Sequence, residues 1–167
     1  MPGTDETICF AQDAMIATMS GERPVQTLME GDRVITRDSG TAVLRGIRRR
    51  KARAKLVAIR AGTLGSARPD SDAMVPAGQE ILVRDWRAKA LFGASRALVP
   101  AERLADGEFI RVIGTREVEL LELQFDAPHI LYADGLELAS ARSRAPLSVP
   151  IGQNFSSPYN ASRPRLH

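Results

Sequence analysis

Short stretches in which apolar and polar residues alternate recur along most of this chain. They are rich in valine, isoleucine and leucine and are separated by Gly, Pro, Asp or Ser, which is typical of β-strands with one buried face. The pattern predicts strands at residues 33–36, 42–45, 55–59, 80–83, 108–113 and 118–125. No long stretch keeps the period of a helix, so the chain is predicted to be all-β.

The clearest turn signal is Asp134-Gly135, which lies between the apolar segments 129–132 and 136–138. A two-residue hairpin turn of the favoured type needs positive φ at both central residues, and Asp-Gly supplies them at low cost. The sequence therefore predicts a hairpin here.

An internal repeat relates residues 24–34 to residues 100–110 through the pattern Pro-x-x-x-Leu-x-x-Gly-acid-x-aliphatic. In each copy the proline starts one short helical turn, the leucine packs inward, and the glycine gives a left-handed stop before a strand. Each copy opens a β-rich half, so the repeat predicts a duplicated domain with pseudo-twofold symmetry.

The 167 residues, with 44% hydrophobic residues and a formal charge of +3, are enough for one domain with a real core. We expect a polar leader at 1–8, a domain at 9–139 and an irregular tail rich in Pro and Ser at 140–167. No apolar run approaches the roughly 20 residues needed to span a bilayer, and the first residues lack the apolar segment of a signal peptide. The chain is expected to be soluble, without membrane association.

The chain has a single cysteine, Cys9, which cannot form a disulfide within the chain or build a cysteine metal cluster. It is therefore either a nucleophile or an inert buried side chain. With two histidines in all, one of them the last residue, a closed zinc site has too few ligands, so no metal is expected. No Gly-rich phosphate loop is present, and no cofactor is expected.

A basic run at residues 48–55 has two interpretations. It could contact phosphates of a nucleic acid, or it could be a solvated connection between strands. Aromatic residues are only 5% of the chain, so side chains for base stacking are scarce, which favours the second interpretation.

The segments Cys9-Phe10, 16–18, 21–25 and 31–40 resemble the first block of the Hint domain, the self-processing module shared by hedgehog proteins and inteins. The match is to the bacterial stand-alone branch, and it continues through shorter segments at 61–65, 81–83, 91–93, 98–101, 125–126 and 133–135. It covers about residues 9–139. The resemblance implies a compact all-β horseshoe of two pseudo-twofold halves with short helical turns.

The resemblance also implies a reaction, an N-to-S acyl shift in which Cys9 attacks the carbonyl of Ile8. The peptide bond becomes a thioester, which water or a second nucleophile then cleaves, so the substrate is the chain's own N-terminal flanking peptide. An amide is a poor electrophile, and the reaction needs help with proton transfer. The family uses one histidine in its second block and often another in a late strand.

Gln79 occupies the position of the second-block histidine, and glutamine does not titrate near neutral pH. His129 is the candidate for the late histidine. Asp126 is close enough in sequence to orient His129 or the thiol, but an ordinary turn-forming Asp is the favoured interpretation, because Asp-x-Pro is common in loops. The His-Asn pair that completes splicing in inteins is missing after residues 136–138, so full splicing is not expected.

Three functions follow, in decreasing order of support. The first is self-cleavage at Ile8–Cys9, impaired by Gln79, which would release only a short peptide because eight residues precede Cys9. The second is an inactive Hint fold kept as a binding or scaffold module for a protein partner. The third is a nucleic-acid binder acting through the basic run.

Overall fold

The computed structural model describes residues 8–65 and 68–141. Within them, twelve strands, one α-helix and two 3₁₀ helices follow one another. The expected tail from 142 onward and the leader up to residue 7 lie outside the described residues. The strands are β1 (Phe10–Ala11), β2 (Met15–Thr18), β3 (Gly21–Pro24), β4 (Arg33–Thr36), β5 (Gly40–Val43), β6 (Gly46–Ile59), β7 (Ala73–Pro76), β8 (Glu80–Val83), β9 (Ala97–Pro100), β10 (Ile110–Gln124), β11 (Ile130–Ala133) and β12 (Leu136–Ala139).

The strands form two antiparallel sheets. One has the order β1-β10-β6-β7. The other has the order β3-β2-β4-β11-β12-β8-β9, with β5 paired to β4. The all-β prediction is thus confirmed.

The strands β6 and β10 are much longer than predicted. The strand expected at 55–59 begins at Gly46, and the two strands expected at 108–113 and 118–125 are one strand with a bulge between Val112 and Gly114. Their central residues are exposed and mostly charged on both faces. Alternation is lost there, and with it the sequence signal for a strand.

The pseudo-twofold symmetry predicted from the repeat is present. A 3₁₀ helix at Val25–Thr27 follows the β2–β3 pair, and another at Ala101–Leu104 follows the β8–β9 pair. The first N–H of each turn donates to a carbonyl just before its hairpin, Val25 to Ala14 at 2.7 Å and Ala101 to Gln79 at 2.8 Å. The two halves therefore repeat one folding unit, whose long strands β6 and β10 pair with each other.

The second half carries an element that the alternation did not predict, the helix α1 (Trp86–Phe92) between β8 and β9. Asp85 accepts a hydrogen bond from the N–H of Arg87, and Gly93 ends the helix at φ +68°. These are ordinary start and stop signals. A helix of seven residues is too short to show a helical period in the sequence.

The core is formed by buried apolar residues from both sheets and from both halves. Its largest fully buried side chains are Phe10, Ile16, Leu28, Leu44, Leu56, Ile59, Ile81, Ile110, Leu121, Leu131, Leu136 and Leu138. Both repeat leucines, Leu28 and Leu104, are buried as predicted.

The predicted hairpin joins β11 to β12, and both turn residues have positive φ, +54° at Asp134 and +76° at Gly135. The Asp134 carboxylate accepts the N–H of Met15 at 3.0 Å and so ties the turn to β2. Burial raises the pKa of Asp134, while the bond from Met15 acts in the opposite direction. The ionised carboxylate is therefore disfavoured in the folded chain.

We expect Asp134→Asn to stabilise the protein at neutral pH. Asparagine tolerates positive φ, keeps an oxygen for Met15 and removes the desolvated charge. The gain should be a few tenths of a kcal/mol, since partial exposure screens the charge. It should disappear as the pH falls through the raised pKa, where the parent carboxyl becomes neutral. Urea unfolding at neutral and acidic pH measures this. Asp134→Ala is the control, and a gain in that variant would contradict the explanation.

Candidate functional site

Cys9 lies at the head of the first strand, immediately before β1. Its thiol forms no disulfide, and the residue is 8% exposed. Ile8, whose carbonyl would be attacked, is 3% exposed. The Ile8–Cys9 peptide bond is therefore enclosed by the fold.

Gln79 is almost completely buried in the turn between β7 and β8. Its Nε2 donates to the carbonyl oxygen of Ala139 at 2.9 Å and to that of Glu80 at 3.2 Å. Within residues 8–65 and 68–141 its Oε1 is buried and accepts no hydrogen bond. The Gln79 amide therefore uses its N–H donors on backbone carbonyls, while its oxygen is buried.

His129 meets the end of β12 from the other side. The backbone N–H of His129 donates to the hydroxyl oxygen of Ser140 at 2.9 Å. The backbone N–H of Ser140 donates to the carbonyl oxygen of His129 at 2.8 Å. Gln79 and His129 thus flank the Ala139–Ser140 peptide unit, where the missing His-Asn pair was expected. The structure brings these two predicted residues to one strand end.

The strand that follows Cys9 lies near the segment that carries Gln79. β1 pairs with β10, with Phe10 opposite Leu121, and it also contacts β7. After β7 the chain turns at once, with the N–H of Gln79 donating to the carbonyl of Pro76 at 3.0 Å. The head of the first strand and the Gln79 turn therefore belong to neighbouring parts of the fold.

The group that orients His129 is Asp38, a residue that the sequence did not point to. Asp38 Oδ2 lies 2.9 Å from Nδ1 of the imidazole, and its Oδ1 accepts the N–H of Ile130 at 2.9 Å. The Phe125 ring packs against the imidazole edge-on, with ring centroids 5.7 Å apart. A carboxylate at Nδ1 keeps the proton there and leaves Nε2 as the acceptor of the neutral ring.

Asp126, which the sequence placed near His129, lies elsewhere. Its carboxylate binds the guanidinium of Arg45 at 3.0 Å, and its side chain is 75% exposed. That carboxylate raises the pKa of Arg45 through a hydrogen bond and charge. The expectation that Asp126 orients His129 is therefore replaced by the Asp38 contact. Asp38 is 91 residues away from His129 in sequence, so only the fold reveals it.

The basic run is part of strand β6 and is not a connection between strands. Arg48 lies 3.4 Å from Glu122 and Arg49 lies 3.9 Å from Glu119, both across the β6–β10 pair. Arg49 also donates to the carbonyl of Gln26 at 2.6 Å. Acidic residues of β10 thus neutralise part of this surface, which weakens the nucleic-acid interpretation.

In the described part of the chain, no group of three or more His, Cys, Asp or Glu side chains is arranged to hold a metal ion. None of the helices there is long and apolar enough to cross a membrane.

We expect Asp38→Asn to change the tautomer of His129. The amide has only one oxygen, which the N–H of Ile130 retains, so its NH₂ group faces Nδ1 and requires an acceptor there. The ring proton should move to Nε2. Imidazole ¹⁵N shifts of the His129 ring report the tautomer. Ser39→Ala is the control, because Ser39 Oγ is 3.4 Å from the same nitrogen. An unchanged Nδ1–H form in Asp38→Asn would contradict the assignment.

Two pseudo-twofold β-rich halves joined by paired long strands, with a cysteine at the head of the first strand, define a domain of the intein and hedgehog type. The family model for the Hint domain matches residues 8–144. The chain belongs to the Hint domain family. Comparison with curated protein sequences found no match.

Solved structures share this fold. A DnaB intein from Synechocystis sp. PCC 6803 is similar with a TM-score of 0.54 and 11% identity, over 80% of this chain and 98% of the intein. A bacterial intein-like domain from Clostridium thermocellum has a TM-score of 0.53 and 15% identity, over 81% of this chain and 99% of that domain. A gp41-1 intein variant has a TM-score of 0.51 and 13% identity, over 78% and 97% respectively. At these identities the likeness shows a common fold.

Proposed function

We propose that this chain cleaves its own backbone at Ile8–Cys9 through an N-to-S acyl shift. The observation that carries the proposal is the position of Cys9, a buried thiol outside any disulfide that follows a buried residue at the head of the first strand of a Hint fold. An inert cysteine needs no particular place in the chain, whereas a nucleophile for the preceding carbonyl must lie at the entry to the domain.

In the first step Cys9 Sγ attacks the carbonyl carbon of Ile8. A C–S bond forms and the C–N bond of the peptide breaks, while the thiol proton leaves and the departing nitrogen becomes an amine. The product is a thioester between the N-terminal segment and Cys9. Water or an added thiol then cleaves the thioester, which leaves Cys9 as a new N-terminus.

Gln79 limits the first step in this proposal. Its amide can donate and accept hydrogen bonds, but it cannot deliver a proton to the departing nitrogen. General acid catalysis typically contributes about 10²–10⁴-fold, so cleavage should be slow. Its bond to Ala139 supports a second role, in which Gln79 stabilises the end of β12.

His129, held by Asp38, is the proposed proton carrier of the site. With the proton kept on Nδ1, the imidazole offers Nε2 as a base. Asp126, bound to Arg45 at the surface, has no part in this proposal. The substrate is the peptide N-terminal to Cys9, and any protein attached to it would be the partner released.

A second candidate is an inactive Hint fold that serves as a binding or scaffold module. The observation that favours it is Gln79 itself, which lies where the family uses a histidine and is bonded to the backbone of Ala139. In this case Cys9 is a buried apolar side chain and the enclosed Ile8–Cys9 bond is stable.

The test uses the chain with a folded carrier domain fused to its N-terminus. Incubation with dithiothreitol or hydroxylamine should release the carrier and leave a fragment that begins at Cys9, identified by intact mass. Hydroxylamine should leave a hydroxamate on Ile8. Cys9→Ala should give no such fragment under the same conditions.

Two results decide between the candidates. A fragment that begins at Cys9 and disappears in Cys9→Ala supports self-cleavage. An intact mass that stays unchanged over days with either reagent overturns self-cleavage and leaves the inactive module. Cleavage that persists in Cys9→Ala would come from a contaminating protease and would also overturn it.

A further inference from the structure

Glu137 on β12 is a buried carboxylate surrounded by three arginines. Its side chain is 3% exposed, and Arg84 reaches both of its oxygens, at 3.1 and 3.2 Å. Arg37 Nε lies 3.4 Å away and Arg68 Nη2 lies 3.9 Å away. We refer to these four residues as the Glu137 cluster.

The Glu137 cluster has more donors than Glu137 can use. Each guanidinium carries five N–H groups, whereas a carboxylate offers about four acceptor positions. The three arginine side chains are between 25% and 40% exposed, so part of each guanidinium remains open to solvent. One carboxylate also neutralises only one of three positive charges.

The carboxylates near the Glu137 cluster do not neutralise all of its positive charge. The Asp85 carboxylate is paired with Arg87, whose side chain and backbone N–H both donate to it. Asp70 lies against Gly135 at the β11–β12 turn. The three arginines carry three positive charges, and Glu137 and Asp70 together carry two negative ones. One net positive charge therefore remains, since Asp85 and Arg87 cancel each other.

A pocket of about 150 Å³ opens beside the Glu137 cluster. Arg68, Arg84, Glu137 and Asp85, whose carboxylate is bound by Arg87, form its polar side, and three leucines, Leu64, Leu82 and Leu136, form its apolar side beside Gly65. That volume equals the liquid volume of about five water molecules, at about 30 Å³ each. The pocket therefore suits a molecule of a few heavy atoms with one anionic and one apolar end.

We propose that this pocket binds a small organic carboxylate. The guanidinium groups of Arg68 and Arg84 donate to the carboxylate, for which the planar fork of arginine is well matched. The hydrocarbon part contacts the leucines. A fully hydrated inorganic anion has no apolar part and makes no comparable contact. The site is separate from Cys9, and the proposal holds whether or not the chain cleaves itself.

The test is an NMR titration of the whole ¹⁵N-labelled chain with butyrate, butyramide and inorganic phosphate. Butyrate should give saturable shifts at the Nε–H of Arg84 and at the amide of Glu137. Butyramide, which has the same shape without the charge, should bind at least about tenfold more weakly, a difference of about 1.4 kcal/mol. Phosphate should bind more weakly than butyrate.

Arg84→Gln should weaken butyrate binding at least about tenfold, whereas Arg53→Gln on the exposed part of β6 should not change it. Arg68→Gln is a second variant that leaves the Arg84–Glu137 contact in place, and it should also weaken binding. The proposal is overturned if butyramide or phosphate binds as tightly as butyrate. Unchanged butyrate affinity in both Arg84→Gln and Arg68→Gln would overturn it too.

Discussion

Gln79→His should raise the rate of thiol-induced cleavage at Ile8–Cys9 by about 10²-fold, the lower range of general acid–base catalysis. The substitution places a titratable group where the buried amide now donates to the carbonyl of Ala139. An imidazole N–H can keep that bond in one rotamer, and it can protonate the departing amide nitrogen as glutamine cannot. The fused carrier described above gives the rate directly.

The pH profile separates catalysis from a structural effect. Cleavage by Gln79→His should show an added limb, absent from the parent profile, in which the rate falls with rising pH as the introduced imidazolium loses the proton that it delivers. Gln79→Leu is the matched control, since it fills the same buried space without polar atoms and should not accelerate cleavage. Equal rates for the parent and Gln79→His would show that proton delivery at this position does not limit the reaction.

Glu137→Gln should lower the free energy of unfolding by about 3 kcal/mol, the lower end for breaking a buried charge pair. The neutral amide cannot compensate Arg37, Arg68 and Arg84, which would then face one another on one side of β12. Their partial exposure keeps the cost at this end of the range. The melting temperature should fall by roughly 6–12 °C.

Urea unfolding of Glu137→Gln measures this loss, with Glu122→Gln as the control. Glu122 pairs with Arg48 on the exposed part of β6 and β10, where a salt bridge contributes about 0–1 kcal/mol. If the free energy of unfolding falls equally in the two variants, Glu137 does not compensate the charges of the three arginines. Added salt should reduce the loss in Glu137→Gln, because it screens repulsion between the arginines.

The fold class and the duplication were predictable because they depend on local signals. Alternating apolar residues, the Asp134-Gly135 turn and the two Pro-to-Gly repeats each act within about ten residues. The exposed middles of β6 and β10 carried no such signal, so their length was not predicted. The seven-residue helix α1 was missed for the same reason, since it is shorter than the window in which a helical period can be read.

For the candidate site too, features that depend on local sequence were predicted and long-range contacts were not. Cys9, Gln79 and His129 were predicted from the blocks of sequence in which they lie. Their partners were not, because the contacts of His129 with Asp38 and of Gln79 with Ala139 join residues 91 and 60 positions apart. The Asp126 carboxylate pairs with Arg45, since short sequence separation does not decide where a loop side chain points.

The sequence by itself determined that this is a duplicated, all-β Hint domain with a cysteine at the start of its first strand. Tertiary structure alone decided which groups meet: Asp38 and His129, Gln79 and the end of β12, and, at a separate site, three arginines and Glu137. The physical reason is that alternation and turn residues act through neighbouring backbone, whereas hydrogen bonds and charge pairs form between side chains that only strand pairing brings together.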